Sequence, residues 1–537
     1  MPGWNLADCL DCIAAIRGDE EALLQGERPI SWRQLERRAR NLAAWMLEQG
    51  ASHQGKVAIY TYNHPAFMET VYGAFKAALV PVNVNYRYRE EELRYLLDNA
   101  DAEVIVVHQD FVPLFTKVQP ALPKIKGVLV VGDGGAAKLP LRTYDYEAVA
   151  ETDRPAPAVR RSGDDMMFLY TGGTTGMPKG VMWRQDDLYY RFAAGGLGMP
   201  PADMAALAEY VQAPPLRLRT LIGPPLMHGT GWFTAMIAWL TGGTVIMADN
   251  PITFDAAQFL EVVDRTKPTS ITIVGDPFAK PMLRALERAQ RQYDLSSVAM
   301  IASSGVMWSQ EVKRGLLKYN PNMMLVDAFS SSEALGMALS FTTKDGVSST
   351  AKFQLTDGTR LFDECLKPVE IKPGVRGLVG VGGHQPVGYY KDPEKTARTF
   401  VEADGGRYVI PGDWAMVDDD GATLTVLGRG SVCINTGGEK VYPEEVEEVV
   451  KRYPGVHDAV VVGVPDEQWG EAVTAVVSAT DGPLDPEALK SFVKQHLAGY
   501  KAPKHVVLVD EVYRSPAGKA DFKRTKQVAV EALGIRG

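Results

Sequence analysis

The chain has 537 residues, 46% hydrophobic and 23% charged, with no biased tract; it is too long for one ordinary core, so two or more domains are expected. A formal net charge of −9 argues against nucleic acid or an anionic membrane surface as partners, and no apolar run approaches the roughly 18 residues of an integral membrane segment. The N-terminus carries acid at Asp8 where a secretory leader would carry base, and a reducing cytoplasm fits the four cysteines, Cys9, Cys12, Cys365 and Cys433.

Cys9 and Cys12 form a C-x-x-C with no second pair at zinc-finger spacing, and read as two thiols on a short N-terminal helix. Ser31 and Gln34 make a capping box for a helix whose apolar positions Trp32, Leu35, Ala39, Leu42 and Met46 keep helical spacing until Gly50. Residues 56–60 read as a short apolar strand, a helical stretch runs to Leu79, 80–84 is extended, 90–99 is helical and 103–107 is a further apolar run. Such alternation predicts an α/β fold with a largely parallel sheet. Residues 184–220, with Tyr189, Tyr190, Met199 and Tyr210, read as a helical insertion, and 234–248 as a core helix and a buried strand broken at Gly242 and Gly243. Asp276-Pro277 reads as a helix N-cap with proline in the first position. The last part is a unit of its own, with a helix over 443–452 and strands over 459–464 and 472–478. Asp485 then caps a helix carrying a stripe of Leu489, Phe492, Val493 and Leu497, and a final strand covers 506–509. The Gly428-Arg429-Gly430-Ser431 stretch divides a large domain of layered sheets and helices, residues 1–428, from a small α+β domain, residues 429–537.

The most informative segment is Tyr170-Thr-Gly-Gly-Thr-Thr-Gly-Met-Pro-Lys-Gly180. Gly172, Gly173 and Gly176 let the backbone approach an anion closely; Thr171, Thr174 and Thr175 add hydroxyl donors and Lys179 adds positive charge. The apolar run 166–169 before it supplies a strand, so the loop is expected to leave a strand end, where α/β sheets place ligands. A Walker A loop needs Gly-Lys followed by Ser or Thr; here Pro178 separates Gly176 from Lys179, and Gly180 follows.

The ordered string T-G-G-T-T-G-x-P-K-G resembles the signature of the adenylate-forming superfamily: acyl-CoA synthetases, aryl-CoA ligases, luciferases and peptide-synthetase adenylation domains. Further segments resemble its motifs in order over nearly the whole chain: Pro225-Leu-Met-His228, Ser303-Ser-Gly305, Asp327-Ala-Phe-Ser-Ser-Ser-Glu333, Gly412-Asp413, Gly428-Arg429, Gly437-Gly-Glu-Lys-Val-Tyr-Pro443 and Ser515-Pro-Ala-Gly-Lys519. The resemblance implies ATP, Mg2+ and coenzyme A as co-substrates and cofactor, with a small-molecule carboxylic acid as the group activated. It places Gly305 and Asp327 on the adenine side, with Phe329 stacked on the base and Ser332 supplying a hydroxyl. It makes Glu333 the metal ligand, Asp413 and Arg429 the ribose contacts, His228 a ring beside the acyl pocket, and Lys519 the bridge between carboxylate and α-phosphate. Gly437, Gly438 and Glu439 would line a pantetheine channel once a mobile C-terminal domain has rotated about 428–432. A homodimer is the protein partner it allows.

Each residue also has a plainer reading. Asp413 could be a turn aspartate, Glu333 a helix-start acid, and His228 a satisfied core histidine; Lys519 could belong to a solvated cluster with Lys523, Arg524 and Lys526. The adenine-side turn is bulkier than in relatives, Gly305-Val306-Met307, and Val432 stands where a charged hinge residue is usual. Around 227–233 there is no acid to hold an ammonium group, and Trp232, Phe233, Gly275, Val306, Met307 and Met337 suggest an apolar pocket. The extended string ending in Gly180-Val-Met-Trp183 resembles bacterial synthetases for fatty acids and sterol side chains, so the expected activity is an acyl-CoA synthetase for a medium- or long-chain or polycyclic acid. The insertion over 184–220 would then lie near the acyl entrance. An adenylating enzyme that loads a carrier protein, or a nucleotide-binding pseudoenzyme, is the alternative.

Overall fold

The structure is a computed structural model that describes residues 3–535 apart from 133–141, 174–175, 307, 347–351, 357, 404, 430–431, 437–438, 467–468, 481, 498 and 515–519. The Ser31–Gln34 capping box forms as expected and starts helix Trp32–Glu48, whose Trp32, Leu35, Ala39, Leu42 and Met46 are buried. Cys9 and Cys12 lie on helix Leu6–Arg17, capped by the Asn5 side chain, and all four cysteines are free.

Two sheets make the large domain. In the eight-stranded sheet, strands Met166–Gly173, Val80–Asn83, Lys56–Tyr60, Ala102–His108, Gly127–Val131 and Thr143–Asp145 run parallel in that spatial order. The sixteen-stranded sheet has a parallel centre: Met324–Phe329, Met300–Ser304, Ser270–Ile273, Arg219–Ile222, Thr244–Met247 and Glu21–Gln25. It continues past Met324–Phe329 through antiparallel strands as far as Asp413–Val417 and Thr423–Arg429. The apolar runs of the parallel strands are buried on both faces, as helix-covered sheets require.

Between the sheets lie the helices that carry the largest side chains. Trp232 meets Phe67 edge-on at 5.4 Å and Trp239 meets Trp32 at 5.8 Å, all four rings fully buried. Helix Trp32–Glu48 is locked to helix Pro65–Lys76 by Arg38, which donates to both oxygens of buried Glu69 at 2.7 and 3.0 Å, while the Tyr146 hydroxyl donates to the same carboxylate at 2.7 Å. A fork-shaped guanidinium on both oxygens of a carboxylate that also accepts a hydroxyl is the arrangement that makes a buried charge pair tolerable.

A third sheet of five strands, Ile434–Thr436, Glu439–Val441, Val456–Asp466, Gly470–Ala479 and His505–Leu508, is covered by helices Pro443–Lys451, Pro486–His496 and Phe522–Ala532 and forms the smaller C-terminal domain.

Two local expectations are corrected. The glycine-rich segment does not leave a strand end into a loop: it is the tip of a hairpin, in which Thr171 pairs with Lys179 and Gly173 with Gly176 across strands Met166–Gly173 and Gly176–Arg184. The apolar run 181–183 that follows supplies the return strand. Asp276 is the first residue of helix Asp276–Arg288 rather than its cap; Gly275, at φ +53°, takes the cap position, and the Asp276 carboxylate instead accepts from the Ser309 amide and hydroxyl at 2.9 and 3.0 Å. The basic residues Lys523, Arg524 and Lys526 sit on helix Phe522–Ala532, which Asp521 caps.

Candidate active site

The two domains and both large sheets meet around a cleft of about 1200 Å³. One wall is the hairpin strand at Leu169, Tyr170 and Thr171. Opposite lies the turn Pro224–Pro225 and His228, which opens helix Gly229–Leu240. That helix presents Gly229, Thr230, Phe233, Thr234 and Ile237 to the cleft, the spacing of a single helical face. Helix Gln185–Gly196 adds Arg191, Phe192, Ala194 and Gly195 alongside, with Phe192 and Phe233 rings 5.5 Å apart. The insertion therefore does line the cleft. Ser304, Gly305, Ala328 and Ser330 to Ser332 form the far side, and Val432, Cys433, Val462, Gly463, Glu471, Ala520 to Lys523 and Lys526 close it from the C-terminal domain.

The helical period corrects the expected pocket. Trp232 points away from the cleft into the core against Phe67, and Met337 is fully buried without reaching the lining. Gly275 and Val306 also lie off it, and Met307 is outside the described residues. Phe233 lines the cleft as expected, joined by Phe192, Ile237, Val274, Phe278 and Leu335.

Four of the motif residues given a role, Thr171, His228, Gly305 and Ser332, line the cleft, and the other described ones lie outside its lining. Gly305 has φ +95°, a backbone state that favours glycine, and its position opens toward Thr230 and Val274. The Ser332 carbonyl accepts the Trp183 indole at 3.0 Å, which ties the serine run to the return strand of the hairpin. Lys179 pairs with Asp392. Gly172 and Gly173 lie within the hairpin strand. Asp327 is buried beneath the cleft floor 3.4 Å from buried Lys313; burial pushes its carboxyl up to about 6, with the lysine pulling the other way. Phe329 is half-buried, its ring 5.7 Å from Phe353, and its neighbours rather than the ring itself form the lining. Glu333 is 9% exposed and accepts the Tyr389 hydroxyl at 2.6 Å. Asp413 stands opposite Arg429 in register at the end of the antiparallel sheet. Thr174, Thr175, Gly437, Gly438 and Lys519 lie outside the described residues, although Ala520, next to Lys519, reaches the cleft.

Nothing in the sequence marks the residues that hold these parts together. Asn83, at the end of strand Val80–Asn83 and 1% exposed, donates to the carbonyls of Tyr170 at 2.8 Å and Met227 at 2.6 Å, and accepts from the Tyr170 amide at 2.7 Å. It thus fixes the hairpin against the turn that carries His228. Asn63 holds the same turn from the other side, donating to the Pro224 carbonyl at 3.0 Å and accepting from the Leu226 amide at 2.7 Å. Tyr389 and Asp392, from one short segment, reach Glu333 and Lys179.

A glycine-rich hairpin beside an apolar groove, with a second domain closing the cleft, is a geometry suited to group activation on a bound nucleotide. Comparison with known proteins agrees. Residues 11–390 match the AMP-binding enzyme family and residues 445–519 match the AMP-binding enzyme C-terminal domain. A medium/long-chain-fatty-acid–CoA/3-oxocholest-4-en-26-oate–CoA ligase of Mycobacterium marinum is 40% identical, the alignment covering 97% of this chain and 96% of the relative. A 3-oxocholest-4-en-26-oate–CoA ligase of Rhodococcus rhodochrous is 39% identical over 97% of this chain and 95% of its own. Among solved structures, the anthranilate CoA ligase AuaEII in complex with anthranoyl-AMP shares the fold, with a TM-score of 0.84 at 21% identity over 100% of this chain and 99% of that one. The chain belongs to the AMP-binding enzyme family, in its acyl-CoA ligase branch.

Proposed function

We propose that this acyl-CoA ligase activates an apolar carboxylic acid, a medium- or long-chain fatty acid or a sterol side-chain acid, in the cytoplasm. The observation that carries the reading is the groove between helices Gln185–Gly196 and Gly229–Leu240, which runs from His228 beside the phosphate hairpin to Gly195 and Ile237. From Gly229 to Ile237 the helix rises about 12 Å, so the acyl group has an extended apolar path rather than a small closed pocket. Arg191, the charged residue on this wall, turns Nε and Nη2 to the carbonyls of His384 and Gly382, at 2.6 and 2.9 Å. The curated relatives named for fatty and sterol acids support the same class.

In the first step the substrate carboxylate attacks the α-phosphorus of ATP and pyrophosphate leaves. Thr171 and the amides of the hairpin tip would cradle the phosphates, with Lys179 adding charge. Gly305 and the 328–332 strand end would flank adenine with Phe329, and Asp413 and Arg429 would take the ribose. Lys519, next to Ala520 in sequence, would neutralise charge as the carboxylate meets the phosphate. Magnesium fits Glu333: the carboxylate is a hard oxygen donor, nearly buried, and meets no basic side chain among the described residues. When bound there it would supply charge neutralisation for the departing pyrophosphate. In the second step the thiol of coenzyme A attacks the acyl carbon of the mixed anhydride and AMP leaves. Domain 429–537 would turn against domain 1–428 between the steps, withdrawing Lys519 and bringing Gly437, Gly438 and Glu439 to a narrow thiol channel.

Pyrophosphate release with ATP, Mg2+ and a panel of acids, with and without CoA, tests the reading. Sustained turnover that needs both an apolar acid and CoA and yields AMP is the expected result. Adenylate formation that CoA does not accelerate would replace it with carrier-protein loading. Lys519→Ala should lose adenylation yet still convert pre-formed acyl-adenylate with CoA; equal loss of both halves would remove the role given to the lysine.

A further inference from the structure

Residues 387–396 form a short strap laid along the outer edge of the phosphate hairpin. Gly388 and Tyr389 pair with Met182 and Val181, and the amides of Val387 and Tyr390 donate to the carbonyls of Met182 and Gly180, both at 2.8 Å. The strap is stiff for visible reasons. Thr396 accepts from the Tyr389 amide at 2.9 Å and donates to the Asp392 carbonyl at 2.7 Å, and Gly388 has no room for a Cβ, which would stand 2.5 Å from Thr396 Cγ2. Its middle is moored where the Tyr390 hydroxyl and Lys391 donate to Asp101 at 2.7 and 2.8 Å.

From this strap two side chains reach Lys179 of the hairpin and Glu333 next to the serine run. Asp392, which also caps helix Pro393–Thr399 through the Lys395 amide, pairs with Lys179. Tyr389, 3% exposed, sends its hydroxyl to Glu333 Oε1 at 2.6 Å, across 56 residues of sequence. The Tyr389 ring is held by Phe400 at 5.8 Å in an edge contact and by the Lys395 ammonium 4.4 Å from its centroid. The second oxygen of Glu333 meets no donor among the described residues. A carboxylate bound through one oxygen by a fixed hydroxyl can present the other in one direction only, which is what a cation with strict octahedral demands requires of a lone protein ligand.

We propose that Tyr389 is a positioning residue for the nucleotide's metal: its hydroxyl fixes the Glu333 carboxylate so that the free oxygen faces the triphosphate. The inference rests on the reading that Glu333 is the metal ligand. Tyr389→Phe tests it with little risk to the fold, since the ring, its edge contact with Phe400 and the Lys395 cation all remain.

The probe is Mn2+ with α,β-methylene-ATP and no acid, so that nothing reacts; bound Mn2+ is counted by electron paramagnetic resonance, and metal-free nucleotide binding by calorimetry in EDTA. Loss of a hydrogen bond to a charged group should weaken Mn2+ binding in the ternary complex about ten-fold. Metal-free nucleotide affinity should stay at the wild-type value, whereas a merely loosened cleft would lower both. Glu333→Gln should abolish the metal-dependent part. Unchanged Mn2+ affinity in Tyr389→Phe, with loss in Glu333→Gln, overturns the positioning role alone; unchanged affinity in both overturns the metal role of Glu333 as well. Equal weakening of the metal-bound and metal-free nucleotide also overturns the proposal.

Discussion

Asn83 is the side chain on which the relative placement of the phosphate hairpin and the acyl turn depends. Its amide makes three contacts of 2.6–2.8 Å to backbone groups of Tyr170 and Met227, in a site where the residue is 1% exposed. Each such bond contributes about 1 kcal/mol net, so Asn83→Ala removes roughly 3 kcal/mol of local fixation before the cost of leaving buried groups unpaired. Three kcal/mol expressed as misplacement of the reacting groups corresponds to about a hundred-fold in rate, at 1.36 kcal/mol per ten-fold. Asn83→Asp is the sharper probe. It preserves shape and the acceptor for the Tyr170 amide, but sets a carboxylate against two carbonyl oxygens. Acid-dependent ATP–pyrophosphate exchange should fall about a hundred-fold in kcat/KM in both variants, and amide exchange should accelerate first in strand Met166–Gly173 and around Met227. A variant that is folded, loses protection at these places and yet exchanges pyrophosphate at the wild-type rate would refute the reasoning. It would show that ATP itself aligns the hairpin and that the clamp serves only stability.

Two further outcomes follow from the same geometry. A Cβ at Gly195 would lie 2.9 Å from Ile237 Cδ1 at the far end of the groove, so Gly195→Phe should lower kcat/KM for long-chain and sterol acids about 10- to 100-fold while short acids keep their rate; a uniform loss along the acid series would show that the acyl group does not run this way. His64 caps helix Pro65–Lys76 by accepting from the Ala66 amide at 3.1 Å, and burial, reinforced by His108, brings its imidazole down from 6.5 to about 4. The native state favours the neutral ring, so the stability it contributes is complete above pH 6.5 and is lost as pH falls toward 4, amounting to about 3 kcal/mol across that window. His64→Asn, which can still cap, should flatten that part of the denaturation-versus-pH curve, and an unchanged slope would place the imidazole in contact with water.

What could be read in advance divides along a physical line. Local devices were legible because their partners are three or four residues apart: the Ser31–Gln34 box, the Asp485 cap, the alternation that builds the parallel sheets. The sequence motifs also pointed to Thr171, His228, Gly305 and Ser332, which line the cleft. Two failures came from incomplete use of periodicity. The 181–183 run pairs back on 167–169 and turns the expected loop into a hairpin, and the spacing Gly229, Thr230, Phe233, Ile237 excludes Trp232 from the face it was given. The helix Phe522–Ala532 was hidden by charge: its short buried stripe, Thr525 and Ala529, is too weak an apolar signal to stand out against the lysines around it.

The supporting residues were illegible for a different reason. Asn83 reaches across 87 and 144 residues, Asn63 across 161, Tyr389 across 56 and Asp392 across 213, and two of the four bind only main-chain groups, which every sequence possesses. An asparagine at a strand end carries no mark of the carbonyl it will meet. A chain whose C-terminal domain turns between two half-reactions, as proposed above, would need such anchors in the domain that stays still. Hairpin, acyl turn, Glu333 and Lys179 are all held by side chains from residues 63–392, and none of those anchors belongs to the C-terminal domain. The hairpin side of the cleft would therefore keep its geometry if residues 520–526 entered or left it on the proposed rotation. On the proposed rotation, the moving segment would begin after strand Thr423–Arg429 of the large sheet.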